Sequence, residues 1–324
     1  MRGRGGALLV LVGLLAGCAA APATDDLGGW QAPHGRRHPL SGRIWDVKAG
    51  RFVAVEAVVD ALTRARFVLL GERHDNPDHH RVQAALVRAL LAAGRRPAVA
   101  FEMFTVDDAP ALARQRAAAP RDAAGLARAI DWQRSGWPDW AFYQPIAQAA
   151  LDFDVPIVAA NLAPATARAL ARGQRAALPD DFASRYALDR SLPGRAQAAL
   201  TAEIREAHCD QLPPERVDGM VLAQRARDAT LADHMLSVAA DGAVLIAGNG
   251  HVRSDRGVPL YLRAREPAAT VAVLAPLEVR EGATRPLEYA ASGGELPYDW
   301  VWFTPRIDTV DPCARWRRRP AVTS

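Results

Sequence analysis

The run FVLLGERHDNPDHHRVQAALVRALLAAG, Phe67 to Gly94, decides the fold class. Its first four residues are apolar on both alternations, as a strand buried on both faces requires. From His79 onward the apolar positions fall at Val82, Leu86, Leu90 and Leu91, the spacing of one helix face, and Gly94 supplies a stop. A strand, a polar turn and a returning helix make the first half of a βαβ unit. Other strand-length apolar runs follow: AVAFEMF (98–104), VPIVAAN (155–161), GAVLIAGNG (242–250) and TVAVLAP (270–276), with VWFTP (301–305) as a final strand. The expected fold is α/β, three-layered, with a mostly parallel sheet flanked by helices. Between Asp107 and Leu236 only VPIVAAN reads as a strand, so helical additions are expected around 107–236.

The chain ends speak to compartment. Arg2 and Arg4 precede an apolar run from Ala7 to Ala16, too short to span a bilayer and ending in small residues, as a secretory signal does. LAGC, Leu15 to Cys18, has the form of a bacterial lipobox, with Cys18 as the acylated residue. Ala19 is not the aspartate associated with inner-membrane retention, which favours the outer membrane. The polar, Gly- and Pro-rich segment that follows suits a flexible tether. These features divide the chain into a signal peptide (1–18), a tether (19–40), one α/β domain (41–310) and a basic tail (311–324).

The formal charge is +4, and loss of Arg2 and Arg4 leaves +2. Lys48 is the only lysine, and the arginines spread along the whole chain, which argues against a nucleic-acid surface. RWRRR, Arg315 to Arg319, is the one basic cluster, and a solvated tail or anionic lipid heads account for it. With Cys18 assigned to lipid, Cys209 and Cys313 form an even pair in an oxidising compartment and are expected to be disulfide-linked; two unpaired cysteines are the alternative.

Polar residues gather where the strands end. GERHDN follows FVLL, FEMF carries Glu102, and GNGHVR follows AVLIA. Ligand sites of parallel sheets collect at the carboxyl ends of strands. Glu72, His74, Glu102 and His251 are therefore expected around one cleft, with Asn249 and Arg253 at its rim. On the helix DGMVLAQRARDATLADHML, Gln224, Arg227 and Asp228 share a face, and Arg227 is placed to pair with a cleft carboxylate. Each residue also has a bland reading: Asp78 as a helix N-cap, His251 as a structural hydrogen-bonder, the helical charges as a solvated face.

Together, LLGERHDNPDHHRVQ, FEMF, PIVAAN, AHC, AQRARDATLA and GNGHVRSDRGVP resemble the ChaN-like haem-binding uptake lipoproteins, in the same order from about Gly42 to Pro276. That family is related in fold to Tiki and TraB proteins and to erythromycin esterases. The resemblance implies haem as ligand, iron uptake at the outer membrane and a homodimer sharing its haems. It also matches Glu72 and His74 to the first cleft motif of those relatives and His251 to the last. Axial candidates for the iron are Tyr143, in the aromatic stretch DWQRSGWPDWAFYQPI, and His208. No CxxCH occurs, which excludes covalent c-type attachment. A hydrolase using Glu72, His74, Glu102 and His251, with or without a divalent metal, stays open as the alternative; a zinc HExxH motif is absent.

Overall fold

The structure, a computed structural model, describes residues 29–238, 240–290 and 294–314. The lipobox, Cys18 and the RWRRR cluster lie outside these residues. A hairpin of β1 (Ile44–Asp46) and β2 (Arg51–Val53) leads into α1 (Val55–Arg64). β3 (Phe67–Leu70), α2 (Pro77–Ala92) and β4 (Ala98–Thr105) form the first parallel unit. Next come α3 (Ala109–Ala118), α4 (Ala123–Ala129), α5 (Trp140–Asp152) and β5 (Ile157–Asn161). The helices α6 (Pro164–Ala171), α7 (Asp180–Arg185), α8 (Ala196–Ala207) and α9 (Pro214–Ser237) complete the helical additions. β6 (Ala243–Ile246), α10 (Val258–Arg265), β7 (Val271–Glu278) and β8 (Trp300–Thr304) end the fold.

The strands make one sheet in the order β2-β1-β8-β7-β3-β6-β4-β5. From β8 to β5 every pairing is parallel; the short edge pair β1 and β2 runs antiparallel. Alternation along each strand sorts side chains between two helical layers. Val68 and Leu70 join Val58, Leu86 and Ile146 beneath α1, α2 and α5. Phe67 and Leu69 join Ala226, Leu231 and Leu262 beneath α9 and α10. The α/β, three-layer architecture is therefore the one the apolar runs call for, and β3 lies near its centre, between β7 and β6.

At the carboxyl end of β3 the chain needs a glycine. A Cβ at Gly71 would lie 2.1 Å from Asn249 Oδ1 and 3.0 Å from Val252 Cγ2, so the loops after β3 and β6 approach too closely for any side chain. The cap of α2 is Asn76, whose side chain accepts the Asp78 amide at 3.0 Å. Asp78 instead turns its buried carboxylate to the amides of Gln31 and Ala32.

That contact corrects the tether expectation for residues 29–40. Ala32 and Leu40 are buried, and His34 pairs with Arg306 as an antiparallel bridge. The segment is docked because Asp78 accepts the Gln31 and Ala32 amides and Leu40 packs in the same apolar cluster as Val301 and Phe303. The aromatic stretch is likewise divided: Trp132 opens a 3-10 turn (Trp132–Arg134), while Trp140 and Tyr143 belong to α5. Pro138 and the left-handed Gly136 interrupt the helix between them.

Cys209, just past α8, is joined to Cys313 by a disulfide across 104 residues. Cross-linking so long a loop constrains the unfolded chain. The Cys209→Ser/Cys313→Ser variant is expected to lose about 2–4 kcal/mol in urea unfolding without reductant. Equal unfolding midpoints for variant and wild type would contradict this.

Candidate functional site

β4 pairs with β6 as far as Phe101, then shifts register before Thr105 pairs with Asn161 of β5. Glu102 sits within this irregularity, which turns its side chain across the sheet end. The carboxylate is fully buried. Its Oε2 accepts the Gly248 amide at 2.7 Å, and its Oε1 accepts from Arg227 Nη2 at 2.5 Å. The same Oε1 lies 3.2 Å from His251 Nε2. His251 Nδ1 in turn donates to Asp228 Oδ1 at 2.6 Å. Asn161, at the end of β5, donates to the Glu102 carbonyl at 2.7 Å and takes Arg227 Nε at 3.3 Å. Arg227 and Asp228 share the inner face of α9, so a single helix supplies a cation to one side of Glu102 and an acid to the far side of His251.

Both ring nitrogens of His251 face carboxylates, which makes it an imidazolium. Burial opposes that charge, but Glu102 and then Asp228 outweigh it and raise the pKa to about 9. For Glu102, burial is again the largest opposing effect, and His251 and Arg227 overcome it, lowering its pKa far below the carboxylate range. Burial prevails at Asp228, whose pKa is raised despite His251. The signs define a pH window. The raised His251 pKa adds stability that is full below 6.5 and lost as pH climbs through about 9. The lowered Glu102 pKa adds stability present above 4.5 and lost as pH falls.

A second carboxylate organises the loop after β3. Glu72, also buried, accepts the Tyr143 hydroxyl at 2.9 Å and His74 Nδ1 at 2.7 Å on Oε1. Burial works against its charge, while His80 and His74 lower its pKa. Because a carboxylate only accepts, the proton on neutral His74 is at Nδ1, and Nε2 is left open. That nitrogen stands 4.0 Å from Glu102 Oε2, beyond hydrogen-bond range, beside the ring of Trp137. Burial lowers the His74 pKa, but Glu72 and Glu102 reverse this and raise it. A carboxylate-oriented imidazole with a free Nε2 can accept a proton or hold a ligand.

The other two histidines of the opening stretch are structural. His79 Nδ1 accepts the Arg73 amide at 2.7 Å and its Nε2 donates to Thr304 at 2.9 Å; burial keeps it neutral, its pKa well below 6.5. His80 donates from Nε2 to the His74 carbonyl at 2.9 Å and packs on Phe142 and Tyr143. Its Nδ1 faces Glu72 Oε2 at 3.4 Å, and neither atom has a hydrogen-bond partner.

Beside these groups opens a cleft of about 620 Å³ at the ends of β4 and β5. Met103, Ile130, Trp137 and Leu162 give it apolar walls, and Arg134, Arg168 and Arg227 give it cations. Arg227 pairs with Glu102 and Arg134 lies 3.6 Å from Asp131, whereas the Arg168 guanidinium has no partner among the described residues.

The sequence between Val58 and Leu262, well over half of the chain, matches the family model described as haem-binding uptake, Tiki superfamily, ChaN. The chain belongs to this family. Its fold is shared with ChaN of Campylobacter jejuni, a structure described as binding haem cofacially: 20% identity, TM-score 0.58, over 80% of this chain and 95% of that one. Weaker likenesses include the type III effector HopBA1 (14% identity, TM-score 0.42, 78% and 93% covered). A mutant erythromycin esterase in its open conformation also matches (14% identity, TM-score 0.41, 79% and 81% covered). No curated protein matches the chain.

The family motifs thus bring Glu72, His74, Glu102, Arg227, Asp228 and His251 together, but not every expected residue joins them. Asn249 turns the other way, donating to the Pro276 carbonyl at 2.8 Å, because its neighbour Gly248 takes the Glu102 contact. Arg253 is drawn to Asp255 at 2.8 Å and lines a separate hollow with Tyr298 and Asp299. Tyr143 is fully buried with its hydroxyl on Glu72; burial and that carboxylate raise its pKa well above 10, which opposes the phenolate an iron ligand needs. His208 is bonded through Nδ1 to the Ile204 carbonyl at the end of α8 and does not line the cleft. No group of three or more His, Cys, Asp or Glu is disposed as a metal site among the described residues. Asn161 and Arg168 were missed by sequence reading. Asn161 stands at a strand end and was open to the same rule that found Glu102; Arg168 carried no signal.

Removing His251 leaves two buried carboxylates sharing Arg227. The His251→Ala variant is expected to lose about 3–5 kcal/mol at pH 7 in urea unfolding, and to lack the wild type's fall in stability between pH 6.5 and about 9. A loss below about 1 kcal/mol would contradict the buried network.

Proposed function

We propose that this chain is a lipid-anchored envelope protein that binds haem for iron uptake, and that the cleft beside Arg227 receives it. Family membership supports the ligand, and the chemistry of the cleft supports the place. Haem asks for apolar surface on its faces and cations for its propionates. Trp137, Met103, Ile130 and Leu162 supply the first; Arg168, with Arg134 and Arg227, supplies the second. The observation that carries the placement is Arg168: a cation with no partner among the described residues, lining a cleft of about 620 Å³ that has apolar walls. Bound there, haem contributes its iron and its visible spectrum. The chain's own part is to orient the ring on Trp137 and to neutralise its carboxylates. The lipobox at Cys18 supports the anchor, and the family resemblance supports pairing of two chains over their haems.

A second reading has one specific observation behind it. His74, held by Glu72 with Nε2 free, has the arrangement of a general base toward water, and Arg227, which lines the neighbouring cleft, can receive the carboxylate that hydrolysis of an ester or amide releases. In that case His74→Ala abolishes turnover of the substrate.

Titration of the mature chain with haem, followed at the Soret band, separates these readings. Haem is expected to bind, and Arg134→Ala/Arg168→Ala to weaken binding roughly a hundredfold or more, since each lost charge-assisted contact is worth about 1.5–3 kcal/mol. Tyr143→Phe is expected to leave the band position unchanged. Absence of binding by wild type would overturn the reading; unchanged affinity in the arginine variant would move the haem elsewhere.

A further inference from the structure

The segment HGRRH, His34 to His38, is not a slack tether but a fixed turn. Gly35 has φ +80°, and a Cβ there would lie 2.5 Å from Val279 Cγ2, so the turn is pressed onto the end of β7 and needs glycine for both reasons. Its carbonyl accepts the His38 amide at 2.9 Å and the Ser41 hydroxyl at 2.7 Å. Buried Ala32 and Leu40 hold the segment on either side.

This fixed turn presents charge without compensation. Arg36, Arg37 and Arg306 line a hollow of about 610 Å³ with His34 and His38, and Glu281 is its one acid. Arg36 donates to the Gln31 and Ala32 carbonyls, and Arg306 donates to the Asp308 carbonyl, so neither charge is neutralised. Arg37 is exposed and has no partner among the described residues. Three guanidinium charges against one carboxylate leave two positive charges on the hollow. The sequence adds more of the same sign: RWRRR begins nine residues past Arg306.

The position of the hollow in the chain names the occupant. Gly29 follows Cys18 by eleven residues, which span at most roughly 40 Å when fully extended. An acylated Cys18 therefore keeps Gly29, where the docked segment begins, within that distance of a bilayer, close enough for the turn to reach the surface, where arginines are attracted to anionic lipid within a Debye length. Fixing the turn beforehand removes the ordering cost that a flexible basic tether meets on binding. We propose that Arg36, Arg37 and Arg306 form a docking surface for the phosphate headgroups of an anionic bilayer, and that it holds the domain in one orientation on the membrane. This rests on the anchor reading above, yet its test does not use the anchor.

The test uses the full chain from Ala19, without acyl group, and vesicles of phosphatidylglycerol and phosphatidylcholine. Binding is expected by co-sedimentation, to weaken with salt, and to be lost on pure phosphatidylcholine. Arg36→Gln/Arg37→Gln/Arg306→Gln is expected to bind roughly a hundredfold more weakly, and Arg37→Gln alone roughly fivefold. A matched control, Arg114→Gln/Arg121→Gln/Arg172→Gln, removes the same charge from other exposed positions and is expected to stay within about twofold. Equal losses in both triple variants, or none in the first, would overturn the proposal and assign binding to net charge or to the tail. Saturable binding of inorganic phosphate without vesicle binding would overturn it in favour of a free-anion site. Failure of acylation at Cys18 would leave these results untouched and count against the anchor alone.

Discussion

The carboxylate of Glu102 would be untenable at its depth without His251 and Arg227. Burial alone pushes a carboxyl group toward its neutral form, and an unpaired charge at such a site costs several kcal/mol. The chain meets this with two cations and a second acid: His251 and Arg227 offset Glu102 and Asp228, so the four formal charges cancel. The partners come from β4, α9 and the loop after β6, and the Asn161 side chain ties in β5. One electrostatic requirement thereby fixes the relative positions of elements far apart in sequence. It also explains why α9 passes close to the sheet end, since only there can Arg227 and Asp228 reach opposite sides of the cluster.

Glu72 has a different role. Among the described residues it has no guanidinium partner; Tyr143 and His74 donate to its Oε1, and His80 faces its second oxygen at 3.4 Å without a hydrogen bond. Tyr143 holds it in place, while His74 reaches outward to Trp137, which lines the cleft. The site therefore has a rigid half around Glu102 and a responsive half at His74, whose ring is partly exposed beside Trp137. Behind the responsive half stands Arg73. Its guanidinium meets Asp75, Glu278 and Asp308, and so fixes the backbone between Glu72 and His74 from the opposite side.

Much of this was legible in the sequence because its causes are local. Strands such as FVLL and AVLI are apolar on both faces, and no other position in an α/β layer suits them. The strand-end rule placed Glu72, Glu102 and His251 near one another without any knowledge of their contacts. It failed where a turn decides direction. Asn249 and His251 lie two residues apart, yet one faces β7 and the other the cluster, because the His251 amide folds back onto the Gly248 carbonyl. Arg253 was lost to a nearer acid, Asp255, a competition that spacing does not reveal. The docked segment 29–40 was read as tether because its composition is polar; its fixing depends on Asp78, which is more than forty residues away. The β1–β2 edge went unread since three-residue strands leave too short a pattern.

The central claim is that His251 is a buried imidazolium held between two carboxylates. Nitrogen-15 NMR of the histidine side chains, followed from pH 5 to pH 10 with His251→Gln to assign the signal, tests it most directly. The expected result is protonation of both ring nitrogens of His251 throughout neutral pH, with titration only near 9. A neutral His251 at pH 7, with one bare ring nitrogen, would contradict the account.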